Sequence, residues 1–110
     1  MNQAMYADLV ARARQGRVAY YDEIQHHAGL DMESPADREE IGRLLGEISE
    51  FEHKNGRPLL SAIVIAKGEG RPGRGFFNLA RSLGLLEDQD EDSFWAMEVG
   101  RVFRHHGALP

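Results

Sequence analysis

The sequence contains no cysteine in 110 residues, and it has only four prolines and one tryptophan. Without thiols the chain has no disulfide, no thiolate nucleophile, no Cys-ligated zinc and no iron–sulfur cluster. No apolar run approaches the roughly 20 residues that cross a bilayer, and the first residues lack the basic and apolar regions of a signal peptide. We therefore expect a cytoplasmic protein without a membrane partner, held together by its hydrophobic core.

The overall composition is that of an ordinary folded domain. Hydrophobic residues make up 42% of the chain and charged residues 28%, which is close to the globular average. The length is too short for a two-domain nucleotide-binding enzyme, and no internal repeat is present. Residues 1–110 are thus predicted to form a single domain.

The net charge is −5, and acidic and basic residues are concentrated in different segments of the chain. Residues 21–52 contain ten acids and two basic residues, whereas residues 53–85 contain six basic residues and one acid. Residues 86–98 then contain six acids and no basic residue. Such blocks can pair across the fold or between two copies of the chain, or the basic block can meet a phosphate ligand. We favour pairing between the blocks.

Amphipathic patterns and capping residues predict that helices dominate the fold. The clearest helix covers 35–53, because Ser34 can cap it, Pro35 suits its first position and its apolar residues recur on one face. Gly42, Gly46 and Ser49 lie together beside that face, and we expect another backbone to approach this strip of small residues closely. The other predicted helices are 3–15 after an Asn2 cap, a short helix from Asp22 to before Gly29, 76–84, and 94–105 after a Ser93 cap.

Two segments have the character of β-strands. The run LLSAIVIA at 59–66 is almost continuously apolar and is predicted to be a strand covered on both faces. The shorter β-prone run at 18–21 is its expected partner. We therefore predict an α+β fold, mainly helical, in one winged-helix-like domain that has a strand pair (18–21 with 59–66) and a glycine-rich wing at 67–75.

The glycine-rich turn is the main candidate for ligand contact. Residues 68–73 match G-x-G-x-x-G, but one confident strand is too few for a dinucleotide fold, and Pro72 removes an amide, so no such cofactor is expected. Its amides and basic side chains suit nucleic-acid phosphates instead. Replacing Gly70 and Gly73 by Ala is expected to reduce binding and to leave the melting temperature nearly unchanged. The predicted phosphate-binding residues are Lys54, Arg57, Lys67, Gly70, Arg71, Gly73 and Arg74.

Catalytic and metal-ligating patterns are sparse. The histidine pairs at 26–27 and 105–106 point about 100° apart on a helix, so neither pair chelates one ion, and we predict no metal site and no cofactor. Glu52 and His53 form the nearest approach to an acid–base pair, as a small hydrolase would need. Glu52 also fits a structural glutamate at a helix end, and we favour a protein that is not an enzyme.

Three segments, in this order, resemble the DNA-binding winged-helix domain of the alkylguanine alkyltransferases and alkyltransferase-like proteins: V-A-Y at 18–20, I-G-R-L-L at 41–45, and the strand and glycine-rich turn at 58–75. The resemblance implies a winged-helix shape and a DNA-binding role. The family's reactive P-C-H-R segment has no counterpart, since Ser61, Ala62 and Ile63 occupy that region, and Glu39 stands where an arginine would enter the duplex. Alkyl transfer is therefore excluded.

These observations lead to two main hypotheses of function. The first is a small regulatory or accessory domain that contacts the nucleic-acid backbone through the basic glycine-rich segment 54–81. The alternative is a protein-interaction module, as a homodimer or a subunit of a larger complex, in which acidic and basic blocks of different chains meet. A small hydrolase that uses Glu52 and His53 is the third.

Overall fold

The computed structural model describes residues 1–110 and consists mainly of helices. Five α-helices surround two short strands and two 3₁₀ turns, so the prediction of a mainly helical α+β fold is confirmed. In chain order the elements are α1 (Gln3–Arg14), β1 (Ala19–Tyr20), α2 (Tyr21–Ile24), a 3₁₀ turn (Gln25–Ala28), α3 (Pro35–Lys54), a second 3₁₀ turn (Leu60–Ile63), β2 (Val64–Ile65), α4 (Arg74–Ser82) and α5 (Glu91–His105).

Local capping sets the starts of α1 and α3, as the sequence predicts. The Asn2 side chain accepts a hydrogen bond at 2.9 Å from the amide three residues further on. Ser34 accepts the equivalent bond at 3.3 Å, and Pro35 occupies the first helical position. Both caps satisfy amides that have no acceptor inside the helix. The predicted bounds of these two helices are therefore correct to within one residue.

The starts of α4 and α5 differ from the predictions. Asp90, and not Ser93, caps α5, because its carboxylate accepts bonds from the Ser93 amide at 3.0 Å and the Ser93 hydroxyl at 3.1 Å. The helix consequently begins at Glu91, within the acidic block 86–98 and three residues before the predicted start. α4 begins at Arg74 rather than at Phe76, directly after the extended residue Gly73. The basic end of the glycine-rich segment is thus helical.

The apolar run at 59–66 is a strand only at its end. Val64 and Ile65 pair in parallel with Ala19 and Tyr20, which confirms the expected partners. Residues Leu60–Ile63 form a 3₁₀ turn instead, so the predicted strand over 59–66 is wrong for its first half. The burial prediction holds, because every residue from 59 to 65 is buried.

Side chains, rather than a neighbouring strand, satisfy the backbone of this central turn. The amide of Leu59 donates to the Glu98 carboxylate at 2.8 Å, and the amide of Ser61 donates to the Ser49 hydroxyl at 3.0 Å. The indole of Trp95 donates to the carbonyl of Ala62 at 2.9 Å. Since buried backbone groups need partners, these bonds from α3 and α5 allow a non-strand backbone in the core.

The hydrophobic core is built around that turn. Helices α1, α3 and α5 all contact Leu60–Ile63. The buried apolar side chains form one continuous cluster. The run 59–66 is therefore apolar because helices enclose it on several sides. A buried strand has the same apolar sequence pattern, which is why a strand was predicted.

The glycine-rich turn is closed by its own hydrogen bonds. The Ala66 amide donates to the Arg71 carbonyl at 2.9 Å, and the Gly70 amide donates to the Ala66 carbonyl at 3.0 Å. The chain then enters α4 directly, so no third strand follows the turn. The winged-helix classification stays a prediction. None of the helices combines the length and the apolar character needed to cross a bilayer.

Candidate functional site

The basic block occupies two separate places in the fold. Lys54 and Arg57 lie at the carboxyl end of α3, where Arg57 pairs with Glu52 at 2.9 Å and Lys54 is exposed without an ion pair. The other predicted cations belong to the glycine-rich turn and the start of α4: Arg71 and Arg74 contact the start of α5, and Lys67 pairs with Asp22 of α2. Helix α5 is 15 residues long and spans about 20 Å, and the Glu52 cluster is near its far end. The predicted phosphate-binding residues therefore do not form one surface.

Three arginines converge on one carboxylate at the start of α5. Glu91 accepts from Arg71 at 3.4 Å, from Arg74 at 3.1 Å and from Arg81 at 2.7 Å. Asp92 pairs with Arg71 as well, at 3.0 Å. We call Arg71, Arg74 and Arg81 the arginine cluster. Acids of the block 86–98 thus meet bases of the block 53–85 within one chain, as block pairing predicts.

The electrostatics of the arginine cluster keep Glu91 ionised. Hydrogen bonds from Arg74 and then Arg81 lower the pKa of Glu91 from 4.5 to about 2. The guanidinium groups of Arg71 and Arg74 also lie over the Phe77 ring, at 5.0 and 5.2 Å from its centre. Stacking of this kind holds the guanidinium groups in a defined position at the surface.

Two of the remaining predicted phosphate-binding groups in the turn, the Lys67 ammonium and the Gly73 amide, already have partners within the chain. Lys67 pairs with Asp22 at 2.9 Å. The Gly73 amide donates to the Tyr21 hydroxyl at 2.9 Å, so it is not free for a phosphate. Gly70 has a φ of +68°, and a Cβ at Gly73 would lie 3.2 Å from the Tyr21 hydroxyl. Alanine at Gly70 would be strained by this backbone angle, and alanine at Gly73 would need the Tyr21 hydroxyl to move by a few tenths of an ångström, so the structure argues against the expectation that both alanines leave the melting temperature unchanged.

The candidate acid–base pair is not assembled. Glu52 is fully buried and accepts from the Tyr6 hydroxyl at 2.8 Å and from Arg57 at 2.9 and 3.1 Å. His53 makes no side-chain hydrogen bond and no ion pair with Glu52, since adjacent side chains on a helix point about 100° apart. His106 is the histidine near Glu52, and burial lowers the pKa of its imidazole. The arrangement is that of a structural ion pair.

A groove opens between α3 and α4, and we call it the α3–α4 groove. Its volume is about 570 Å³. A Cβ on Gly42 or Gly46 would meet nothing within 4 Å, so the expected close backbone approach is wrong at these glycines and is found only at Ser49, whose hydroxyl accepts from the Ser61 amide at 3.0 Å. The small residues form an open wall instead. The other residues that line the groove include Tyr20, Tyr21, Met32, Ser61, Phe76 and Leu79.

Sequence reasoning missed Glu91 and Tyr21 as members of the candidate sites, and it included Arg81 only as the last residue of the basic segment 54–81. The sign reversal between blocks indicated that acids after residue 85 would meet the basic block, but it did not select Glu91. The glycine strip of α3 was visible in the sequence, and it marks the groove.

Comparison with known proteins gives no assignment. No family model, no curated protein and no solved structure matches this chain.

Proposed function

We propose that this chain is a non-catalytic accessory binding domain that contacts the phosphate backbone of nucleic acid through the arginine cluster. The observation that carries this proposal is the convergence of three arginines on one glutamate at the surface. The three arginines outnumber the two acids that pair with them, Glu91 and Asp92, and Glu69 lines the same recess without an ion pair. The proposal keeps the basic glycine-rich segment as the contact surface and leaves out Lys54 and Arg57, which lie elsewhere.

The arginine cluster retains capacity to donate hydrogen bonds. Each guanidinium has five N–H donors, whereas one carboxylate has about four acceptor positions, so most of the donors in the cluster are not used by Glu91. The side chains of Arg71, Arg74 and Arg81 are 34%, 58% and 43% exposed. Because Glu91 and Phe77 already orient these groups, less side-chain entropy is lost when a phosphate binds.

Base readout by α3 is not part of the proposal. The exposed face of this helix carries glutamates, which phosphates would repel, at positions 39, 40, 47 and 50. The net charge of −5 also disfavours long-range attraction to a polyanion. We therefore expect contact with phosphates alone, with weak affinity and little sequence preference.

The test is fluorescence anisotropy with labelled duplex DNA and single-stranded RNA at low salt, about 20 mM. With roughly three phosphate contacts, the slope of log K against log salt should be about −3. Arg74→Glu should weaken binding more than Arg43→Glu. Arg43 is the matched control, because it is equally exposed and also pairs with glutamates, but it lies on α3. Absence of binding at low salt, or equal losses in the two variants, would overturn the proposal.

The protein-interaction module stays a prediction with less support. Much of the basic block is already paired within the chain, Lys67 with Asp22 and the arginine cluster with Glu91, so fewer free cations remain for the acids of a second copy. One exposed apolar residue on α5, Met97, is 69% exposed and is the best point for a protein contact. Sedimentation at low salt and high concentration tests the homodimer form, which a monomeric profile would exclude.

A further inference from the structure

The α3–α4 groove has the size and lining of a small-molecule site. Ligand pockets commonly measure about 300–1,000 Å³ and combine an apolar lining with a few polar groups. This groove measures about 570 Å³, and its apolar wall includes Met32, Ile41, Leu45, Phe76 and Leu79. It lies beside the arginine cluster and is separate from it, although Arg74 lines both.

The wall formed by α3 is open because it has no side chains at two successive turns. Gly42 and Gly46 both have ordinary helical backbone angles, so their conformation does not require glycine. Glycine in a helix interior makes the helix less stable than alanine does. Since no neighbouring atom would meet a Cβ at either position, packing does not explain them either. What these glycines provide is free volume in the groove.

Hydrogen-bond donors face this volume from the opposite wall. The Tyr21 hydroxyl accepts from the Gly73 amide and donates to no acceptor in the protein, so its hydrogen is available to a ligand. Burial raises the pKa of Tyr21, which keeps the hydroxyl protonated as a donor. Arg74 and Gly75, in the first turn of α4, have amides without acceptors inside the helix, and no side chain caps this helix.

Among the cations that line the groove, Arg38 is the one that makes no ion pair. Lys67 is paired with Asp22, and Arg74 with Glu91. Glu69 also lines the groove and makes no ion pair, and after burial its charge helps to raise the pKa of Tyr21. Arg38 makes no ion pair, and its guanidinium donates at 2.9 Å only to the carbonyl of Met32.

We infer that the α3–α4 groove binds a small, largely apolar organic molecule that carries one carboxylate group. The apolar part lies against the glycine wall of α3 and the side chains of α4. The carboxylate accepts hydrogen bonds from Arg38 and from the donors that face the groove. A charge-assisted bond of this kind is stronger than a neutral one, so the acid is preferred to an uncharged analogue of the same size.

The experiment uses the full ¹⁵N-labelled chain and 2-naphthoate as the probe, with the amide signals of Gly42, Gly46 and Gly75 followed by NMR. We expect saturable shifts of these signals at millimolar probe or below. The matched uncharged probe, 2-naphthalenemethanol, should bind about tenfold more weakly, equivalent to about 1.4 kcal/mol. Absence of saturable shifts, or shifts confined to other residues, would overturn the inference. Equal affinity for the two probes would overturn the carboxylate assignment.

Two variants separate filling of the groove from loss of folding. Gly46→Leu should fill the groove and abolish the shifts, while the urea midpoint stays equal to or above that of the parent chain. Glu50→Leu, on the exposed face of the same helix, is its control and should leave binding unchanged. Arg38→Met should reduce the affinity for naphthoate to that for the alcohol. Binding that persists in Gly46→Leu, or an unaltered naphthoate preference in Arg38→Met, would contradict the proposed site.

Discussion

The buried ion pair between Glu52 and Arg57 should respond asymmetrically to removal of either partner. The Glu52 side chain is 0% exposed, whereas that of Arg57 is 27% exposed. If Arg57 is replaced by Met, a buried carboxylate loses its counter-charge and cannot reach water, which costs about 3–5 kcal/mol. Glu52→Gln removes the charge but keeps an oxygen that accepts from Tyr6 and Arg57, and Arg57 can reach solvent. That variant should lose only about 1–2 kcal/mol.

The assay is urea unfolding followed by circular dichroism, with the midpoint compared at constant m value. Arg57→Met should therefore be less stable than Glu52→Gln by roughly 2 kcal/mol. Arg43→Met is the matched control, because Arg43 also pairs with glutamates but is 59% exposed. Its midpoint should barely move, as expected for a surface pair. The reasoning is refuted if Glu52→Gln destabilises the chain as much as Arg57→Met does.

Three further predictions concern the core, the arginine cluster and the glycine-rich turn. Leu60→Ala, at a fully buried position, should cost roughly 2–5 kcal/mol, and an unchanged denaturant midpoint would place the core elsewhere. Because its neighbours lower the pKa of Glu91 to about 2, Glu91 contributes stability that is complete above pH 4.5 and is lost as the pH falls towards 2. Between pH 4.5 and 2 the Glu91→Gln variant should therefore lose less stability than the parent chain. Identical curves of unfolding free energy against pH for the two proteins would contradict this. Gly70→Ala should lower the melting temperature, because φ is +68° there, and Gly73→Ala should do so by crowding Tyr21; unchanged melting temperatures would contradict both.

The sequence predicted the parts of the fold that depend on neighbours in the chain. A cap acts on amides two or three residues away, so Asn2 and Ser34 sufficed to place the starts of α1 and α3. The same reasoning predicted Ser93 as the cap of α5, but in the structure Asp90 accepts the hydrogen bond from the Ser93 amide and is the cap. Strand partners were also predicted, since few β-prone segments were available.

Only the tertiary structure decided the conformation of the central apolar run. Its composition is equally suited to a buried strand and to a turn enclosed by helices, because hydrophobicity reports burial and not backbone geometry. The turn at Leu60–Ile63 is selected by groups far along the chain, such as Glu98, which is 39 residues from the Leu59 amide it accepts from.

The candidate sites divide in the same way. Block charges alone indicated that acids and bases would pair, since opposite charges attract whatever the fold. The packing of α4 and α5 decides that the three arginines share Glu91. It also decides that Lys54 and Arg57 lie apart from these arginines. The glycine strip of α3 was legible from helical periodicity. Whether a backbone or open space lies against it depends on the position of α4, which no local pattern in the sequence specifies.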